Sequence, residues 1–270
     1  DINNKCPLGS AAGYGVSIEI DRHKTARLLG FSGPHTNVLY ASSARGKCES
    51  AILSAVSQVM LTLSRLSEDL ILYSIPEFNY FAIPSEYCSG SSIMPQKNNP
   101  DVLELIRAKT AKVMGYATTA AAIVKNLPGG YNRDLQETKE VFVAGMDTTR
   151  SSVRILVPLI GKVKVNRKAL LAGFAPQVFA ADRALELVSG GMSFRDAYNH
   201  VKARLEELHG VDPIKAIADR TALRAPAVVD FNALALRARE MTVFAEREQR
   251  KYHGAISRLL GVKYPELLMP

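Results

Sequence analysis

Apolar residues recur along almost the whole chain with a helical period. A short helix is predicted from Arg22 to Leu29, with Asp21 as its N-cap. A long one follows from about Val38 to Tyr73. Within it Ile52, Val56, Val59, Leu63, Leu66, Leu70 and Tyr73 step alternately by four and three, which is a heptad seam. Leu53, Met60 and Ile71 lie off that seam, so a second face is also apolar. A helix of ~36 residues is ~54 Å long, and one apolar on more than one side belongs in a bundle. Pro76 ends it. The next helix is predicted to start with Asn99 as N-cap and Pro100 at the first helical position, with Asp101 and Glu104 complementing the dipole. Val102, Ile106, Val113, Ala117 and Val124 carry its stripe, and it ends near Asn126. A third long helix runs from after Asp134 to about Ile160. Beyond Val165 the helices shorten and caps multiply. Asn166 opens one helix. A second spans Pro176 to Ser189, closed by Gly190 and Gly191. A third spans Ser193 to His209, closed by Gly210. Asp212 and Asp230 open two more. The expected fold is all-α: a long-helix bundle segment over residues 1–165 that lacks its N-terminal helices, and a smaller helical domain over 166–270.

Composition narrows the class. With 270 residues and 47% hydrophobic content, the chain can bury a sizeable core. The net charge of +8 could suit nucleic acid or a small polyanionic substrate. No dense Lys/Arg run or zinc-finger spacing occurs, which disfavours nucleic acid. Cys6, Cys48 and Cys88 are odd in number and far apart, as expected of reduced thiols in a cytoplasmic protein. No signal peptide or membrane-length apolar run is present, so no membrane partner is expected. The first residues read as a loop in mid-flow, and the chain is expected to begin inside a longer parent.

The stretch from Cys88 to Lys109, "CSGSSIMPQKNNPDVLELIRAK", concentrates unusual chemistry in one connection. A Gly-Ser loop offers backbone N–H groups in a nest-like arrangement. A Lys adds a point charge, and a helix N-terminus adds further N–H donors. The segment "GSSIMPQKNNP", Gly90 to Pro100, resembles the signature loop of the fumarase/aspartase superfamily, Gly-Ser-Ser-x-Met-Pro-x-Lys-x-Asn-Pro. A second segment, "GGYNRDLQETKE" from Gly129 to Glu140, is similar to one found in argininosuccinate lyases. "CPLGSAAGYG", "IDRHKTARLLGF" and "SGGMSFRDAY" resemble other parts of that family, matching only the later part of its sequence.

The resemblance implies cleavage of argininosuccinate to arginine and fumarate by β-elimination. Such a reaction needs a base for the carbon-bound proton, donors for the growing carboxylate charge, and an acid for the leaving nitrogen. By position in the motifs, Ser91 would be the base and Lys97 would offset the carbanion-like charge. Glu104 would be the acidic partner of a catalytic His, and Asn99 would bind substrate. Tyr131, Gln136 and Lys139 would hold the arginine-bearing end. Gln136 and Lys139, three apart at a predicted helix start, would share a face. Arg45 stands where the family also has Arg, but its neighbours in "SARGK" differ, and it is left outside the site. Asn98 and Tyr198 depart from the family pattern. None of His23, His35, His200, His209 and His253 has the setting of the family's catalytic His, so the chain is expected to lack part of the active site. No metal or organic cofactor is implied. A homotetramer with shared active sites is. Alternatives are another fumarate-releasing lyase of the superfamily and a non-catalytic, crystallin-like protein on the same scaffold.

Overall fold

A computed structural model describes residues 3–218 and 229–264, and among them the architecture is all-α apart from one two-residue strand pair. Helix α1 (Arg22–Leu28) is capped as the sequence predicts, with the Lys24 N–H donating to the Asp21 carboxylate. The predicted helix from Val38 to Tyr73 is in fact two: α2 (Val38–Ser43) and α3 (Lys47–Ser74). The break falls at Gly46, whose φ of 75° is left-handed. Only glycine fits this turn, because Val124 and Thr138 crowd the space a Cβ would occupy. Asn37 caps α2, accepting from the Tyr40 N–H.

Helix α4 (Asp101–Val124) begins one residue later than predicted. Pro100 is its N-cap, and Asn99 is not, because both backbone groups of Asn99 are tied to Ser89 at 2.9 Å. The third long helix is preceded by a 3-10 turn, Arg133–Gln136, and α5 proper is Thr138–Lys162. Gln136 therefore closes that turn, and Lys139 stands in the first turn of α5. Glu137, the cap of α5, falls between the two.

The three long helices run up, down and up. Leu70 near the end of α3 packs with Leu103 and Ile106 at the start of α4 and with Leu156 and Leu159 at the end of α5. At the other end Leu53 packs with Ala117 and Ala120, and Phe142 rests against them. The buried stripe of α4 is Leu103, Ile106, Thr110, Val113, Ala117 and Ala120, a heptad pattern. The stripe of α5 is Thr138, Gly145, Thr149, Ser152, Leu156 and Leu159. On α3 the buried positions are Leu53, Ser57, Met60, Ser67 and Leu70, one residue round from most of the predicted seam. Val59 and Leu66 of that seam stay 47% and 38% exposed.

Small hydroxyl residues explain the rotation. Ser57 and Ser67 donate to carbonyls of their own helix, those of Leu53 (2.7 Å) and Leu63 (2.8 Å). They enter the core with their polar groups satisfied and leave room for a close neighbour. Thr110 goes further and bonds across helices to the Met60 carbonyl at 3.0 Å as well as to Ile106. Each fully buried Leu or Ile in these stripes contributes about 1.5–3 kcal/mol relative to exposure.

Strand β1 (Phe81–Ala82) pairs antiparallel with β2 (Lys164–Val165), tying the α3–α4 connection to the end of α5. Then come α6 (Arg167–Ala172), a 3-10 turn at Pro176–Phe179, α7 (Ala180–Ser189), α8 (Phe194–Ala203), a 3-10 turn at Leu205–Gly210 and α9 (Pro213–Ala218). Asn166 and Ser193 cap α6 and α8 as expected. Ala184, Ala197, Val201 and Leu208 form a separate small core. Helix α10 (Phe231–Leu260), capped by Asp230, returns to α1, where Ala255 lies against Gly30. Among the described residues no helix is long and apolar enough to cross a membrane.

Candidate active site

The two motifs occupy opposite ends of α4. That helix has 24 residues, so its ends are ~36 Å apart.

At the N-terminal end, the signature loop leaves and rejoins the scaffold at one place. The backbone bridge between Ser89 and Asn99 closes its base, and the Ser89 hydroxyl bonds to the Asp101 carboxylate. The preceding 3-10 turn, Ser85–Tyr87, is moored to α5 by the Glu86–Lys162 ion pair, with the Lys162 ammonium 5.6 Å from the centre of the Tyr87 ring. The hydrogen bond from Lys162 to Glu86 raises the lysine pKa. Within the loop, the backbone N–H groups of Ile93 and Met94 donate to Ser91 Oγ at 3.2 and 3.1 Å. Hydrogen bonds to an oxygen favour its charged form. Lys97, Asn99 and Glu104 line one cavity of about 600 Å³ beside the loop, with Cys88 and Met94. Burial, and secondarily the Asp101 charge, push the Cys88 thiol above its ordinary pKa. Ser91 is not among the lining residues, and none of the five histidines is, so Glu104 has no imidazole partner there.

At the far end, Gly130 (φ 101°) makes a turn that a side chain would strain. Tyr14 from the N-terminal segment packs against it and donates to the Gly129 carbonyl at 3.3 Å. The buried Leu135 and Thr138 anchor the following turn and leave Gln136 and Lys139 exposed. Tyr131 is exposed, and the Arg45 guanidinium lies 5.7 Å from the centre of its ring. Lys139 lines a second cavity, of about 440 Å³, whose walls include Lys5, His35, Arg45, Cys48 and Glu49. Tyr131 and Gln136 are not in its lining. Burial, with Glu49 adding to it, raises the Cys48 thiol pKa. Arg45, left outside the site by the sequence reading, and Glu49 both line this cavity. The signal was Gly46 between them, which could have marked the helix break that turns both toward Lys139.

The structure thus brings Lys97, Asn99 and Glu104 together, places Ser91 in the same loop, and sets Tyr131, Gln136 and Lys139 at the other end of the helix. Among the described residues, no group of three or more His, Cys, Asp or Glu side chains is placed to share a metal ion.

Comparison with known proteins gives this arrangement a class. A family model described as "Lyase" matches residues 2–115. The fold is similar to that of an EDDS lyase variant with bound fumarate, at a TM-score of 0.68 and 20% identity over 96% of this chain and 58% of that one. It is also similar to a protein titled fumarate lyase:delta crystallin from Brucella melitensis, bound to cobalt, at a TM-score of 0.54 and 18% identity over 78% of this chain and 52% of that one. The chain thus shares the helical fold of these lyases. Two curated relatives narrow the placement. The argininosuccinate lyase of Sorangium cellulosum is 41% identical over 87% of this chain and 54% of its own length. That of Thermus thermophilus is 45% identical over 75% of this chain and 44% of its own length. The chain is similar in sequence to argininosuccinate lyases and spans about half the length of the curated relatives it matches.

Proposed function

We propose that this chain supplies part of the active site of an argininosuccinate lyase. Ser91 takes the proton from the carbon beside a succinyl carboxylate, a C=C bond forms, and the C–N bond breaks with its electron pair leaving on nitrogen. Lys97 offsets the charge of the intermediate and Asn99 binds the fumarate-forming end. Glu104 orients the acid that protonates the leaving nitrogen, an imidazole on this reading. Tyr131, Gln136 and Lys139 hold the arginine-bearing end. The observation that supports this most is the pair of N–H groups, from Ile93 and Met94, aimed at Ser91 Oγ. They lower the cost of an alkoxide that water would not tolerate.

One substrate a few ångströms across cannot touch both ends of a helix of ~36 Å. The active site is therefore pooled from different subunits of a homotetramer, and exposed apolar residues on the long helices, such as Val59, Leu66, Val143 and Val157, suit such an assembly. The bundle portion, 1–165, carries the chemistry, and 166–270 forms a smaller helical domain with its own core. The protein works in the cytoplasm on a small molecule, without nucleic acid or membrane as partner.

The test is fumarate release from argininosuccinate by the intact parent, followed by ultraviolet absorbance. Ser91→Ala should lower kcat by about 10²–10⁴-fold, the usual contribution of a positioned base, with the helical circular dichroism unchanged. A Ser91→Ala enzyme with near-normal turnover would overturn the assignment of the base.

A further inference from the structure

The signature loop from Gly90 to Asn98 is exposed apart from Ser91, which is half-buried. It hangs from one neck. There Ser89 and Asn99 exchange two backbone hydrogen bonds of 2.9 Å. The Asn98 side chain also reaches the Cys88 thiol. One contact ties this neck to the bundle through a charge: the Ser89 hydroxyl donates to the Asp101 carboxylate. The Asp101 N–H in turn donates to the Asn99 carbonyl at 2.9 Å. Asp101 is the first residue of α4, and Leu103 and Ile106 of the same turns lie fully inside the bundle core. Asp101 is therefore the fixed point, and Ser89 is the strand it holds.

Two tethers hold the stretch that leads into the loop. The Glu86–Lys162 ion pair is more than half exposed on both sides, and exposed pairs contribute little. The Ser89–Asp101 bond is half-buried and charge-assisted, which makes it the stronger of the two. Ser91 lies two residues beyond Ser89, so any opening of the neck carries Ser91 away from α4. We propose that Ser89 and Asp101 are positioning residues: their hydrogen bond clasps the neck and so keeps Ser91 in register with the cavity that Lys97, Asn99 and Glu104 line. Neither residue touches the reacting atoms. The catalytic part of this proposal rests on the lyase reading above. A shift of ~1 Å in a reacting group can cost about 100-fold in rate, so a clasp outside the cavity has leverage on turnover.

The test measures fumarate release and amide hydrogen exchange on the intact parent carrying Ser89→Ala, Asp101→Ala or both. Each single variant should lower kcat about 10–100-fold. The double variant should be no slower than the slower single one, because both remove the same bond. Exchange of the Ser89 and Asn99 amides should quicken roughly tenfold in all three, the loss of one charge-assisted hydrogen bond. Ser89→Thr keeps the hydroxyl and should restore both kcat and slow exchange. Melting temperatures check folding. If Asp101→Ala does not fold, Asp101→Asn replaces it: its neutral acceptor should give a smaller loss, still non-additive with Ser89→Ala. A role of Asp101 on the helix dipole alone predicts additive losses, a lower Tm and no rescue through Ser89. That result, or either alanine variant within about twofold of the unaltered kcat, would overturn the proposal. The two readings fail separately. An unaltered protein that releases no fumarate removes the reaction, while faster exchange in the variants still supports the clasp. Fumarate release with unchanged exchange removes the clasp alone.

Discussion

Replacing Gly46 by Ala should damage this protein far more than its single added methyl suggests. Gly46 has a φ of 75°, and a Cβ there would overlap Val124 Cγ1 and lie 3.0 Å from Thr138 Cγ2. The left-handed conformation costs an L-residue about 1–2 kcal/mol. Overpacking a filled interior costs about 1–3 kcal/mol more. Neither neighbour yields easily, because Val124 ends α4 and Thr138 begins α5 with its hydroxyl already committed to the Leu135 carbonyl. The expected loss is about 2–5 kcal/mol, or roughly 4–20 °C in Tm for a chain of this size. Gly115→Ala is the internal control. Gly115 lies inside α4 with no atom within 4 Å of its would-be Cβ, and Ala there should stabilise by about 0.5–1 kcal/mol through helix propensity. Urea titrations read by circular dichroism measure both variants. A Gly46→Ala protein within about 0.5 kcal/mol of the unaltered one, the ordinary range for a surface change, would refute the claim that this turn is sterically forced.

Three further outcomes are expected. Two inactive variants, Ser91→Ala and Lys139→Ala, should regain part of the lyase activity when unfolded together and reassembled, since a mixed oligomer can pair one intact loop with one intact Lys139; activity that never rises above the separate variants would contradict a site shared between subunits. Cys48 and Cys88, both raised in pKa by burial, should react with iodoacetamide more slowly than free cysteine at neutral pH, with the rate rising only above the usual thiol range; mass spectrometry of each labelled peptide decides this. Asp21→Ala should lower Tm, and because the Lys24 N–H depresses the Asp21 pKa in the folded state, that stability is present above the unfolded pKa and disappears as pH falls through the native value. The difference in Tm between the two proteins should therefore shrink in acid, and a constant difference would contradict the cap.

Local chemistry was legible in the residues themselves. Asp21, Asn166, Ser193 and Asp230 cap helices where the sequence says they should, because a short side-chain oxygen and the backbone N–H it accepts lie within three residues of each other. The signature loop and the Tyr131 to Lys139 segment stand out in the sequence for the same reason: each packs its polar and charged residues into a dozen positions. What the sequence could not decide was which face of a helix meets which neighbour. The predicted seam on α3 counted only apolar residues, yet Ser57 and Ser67 lie inside and Val59 outside. A serine that bonds its own helix carries no visible mark of being buried until another helix approaches it. The break at Gly46 was marked by the glycine alone, a weak signal inside an apolar helical pattern, and only the side chains of Val124 and Thr138, distant in sequence, forbid a side chain there. Arg45 and Glu49 gained their place beside Lys139 from that same turn. Caps and loops are set by neighbours along the chain, whereas seams, breaks and cavities are set by neighbours across it, and only the packed helices contain that information.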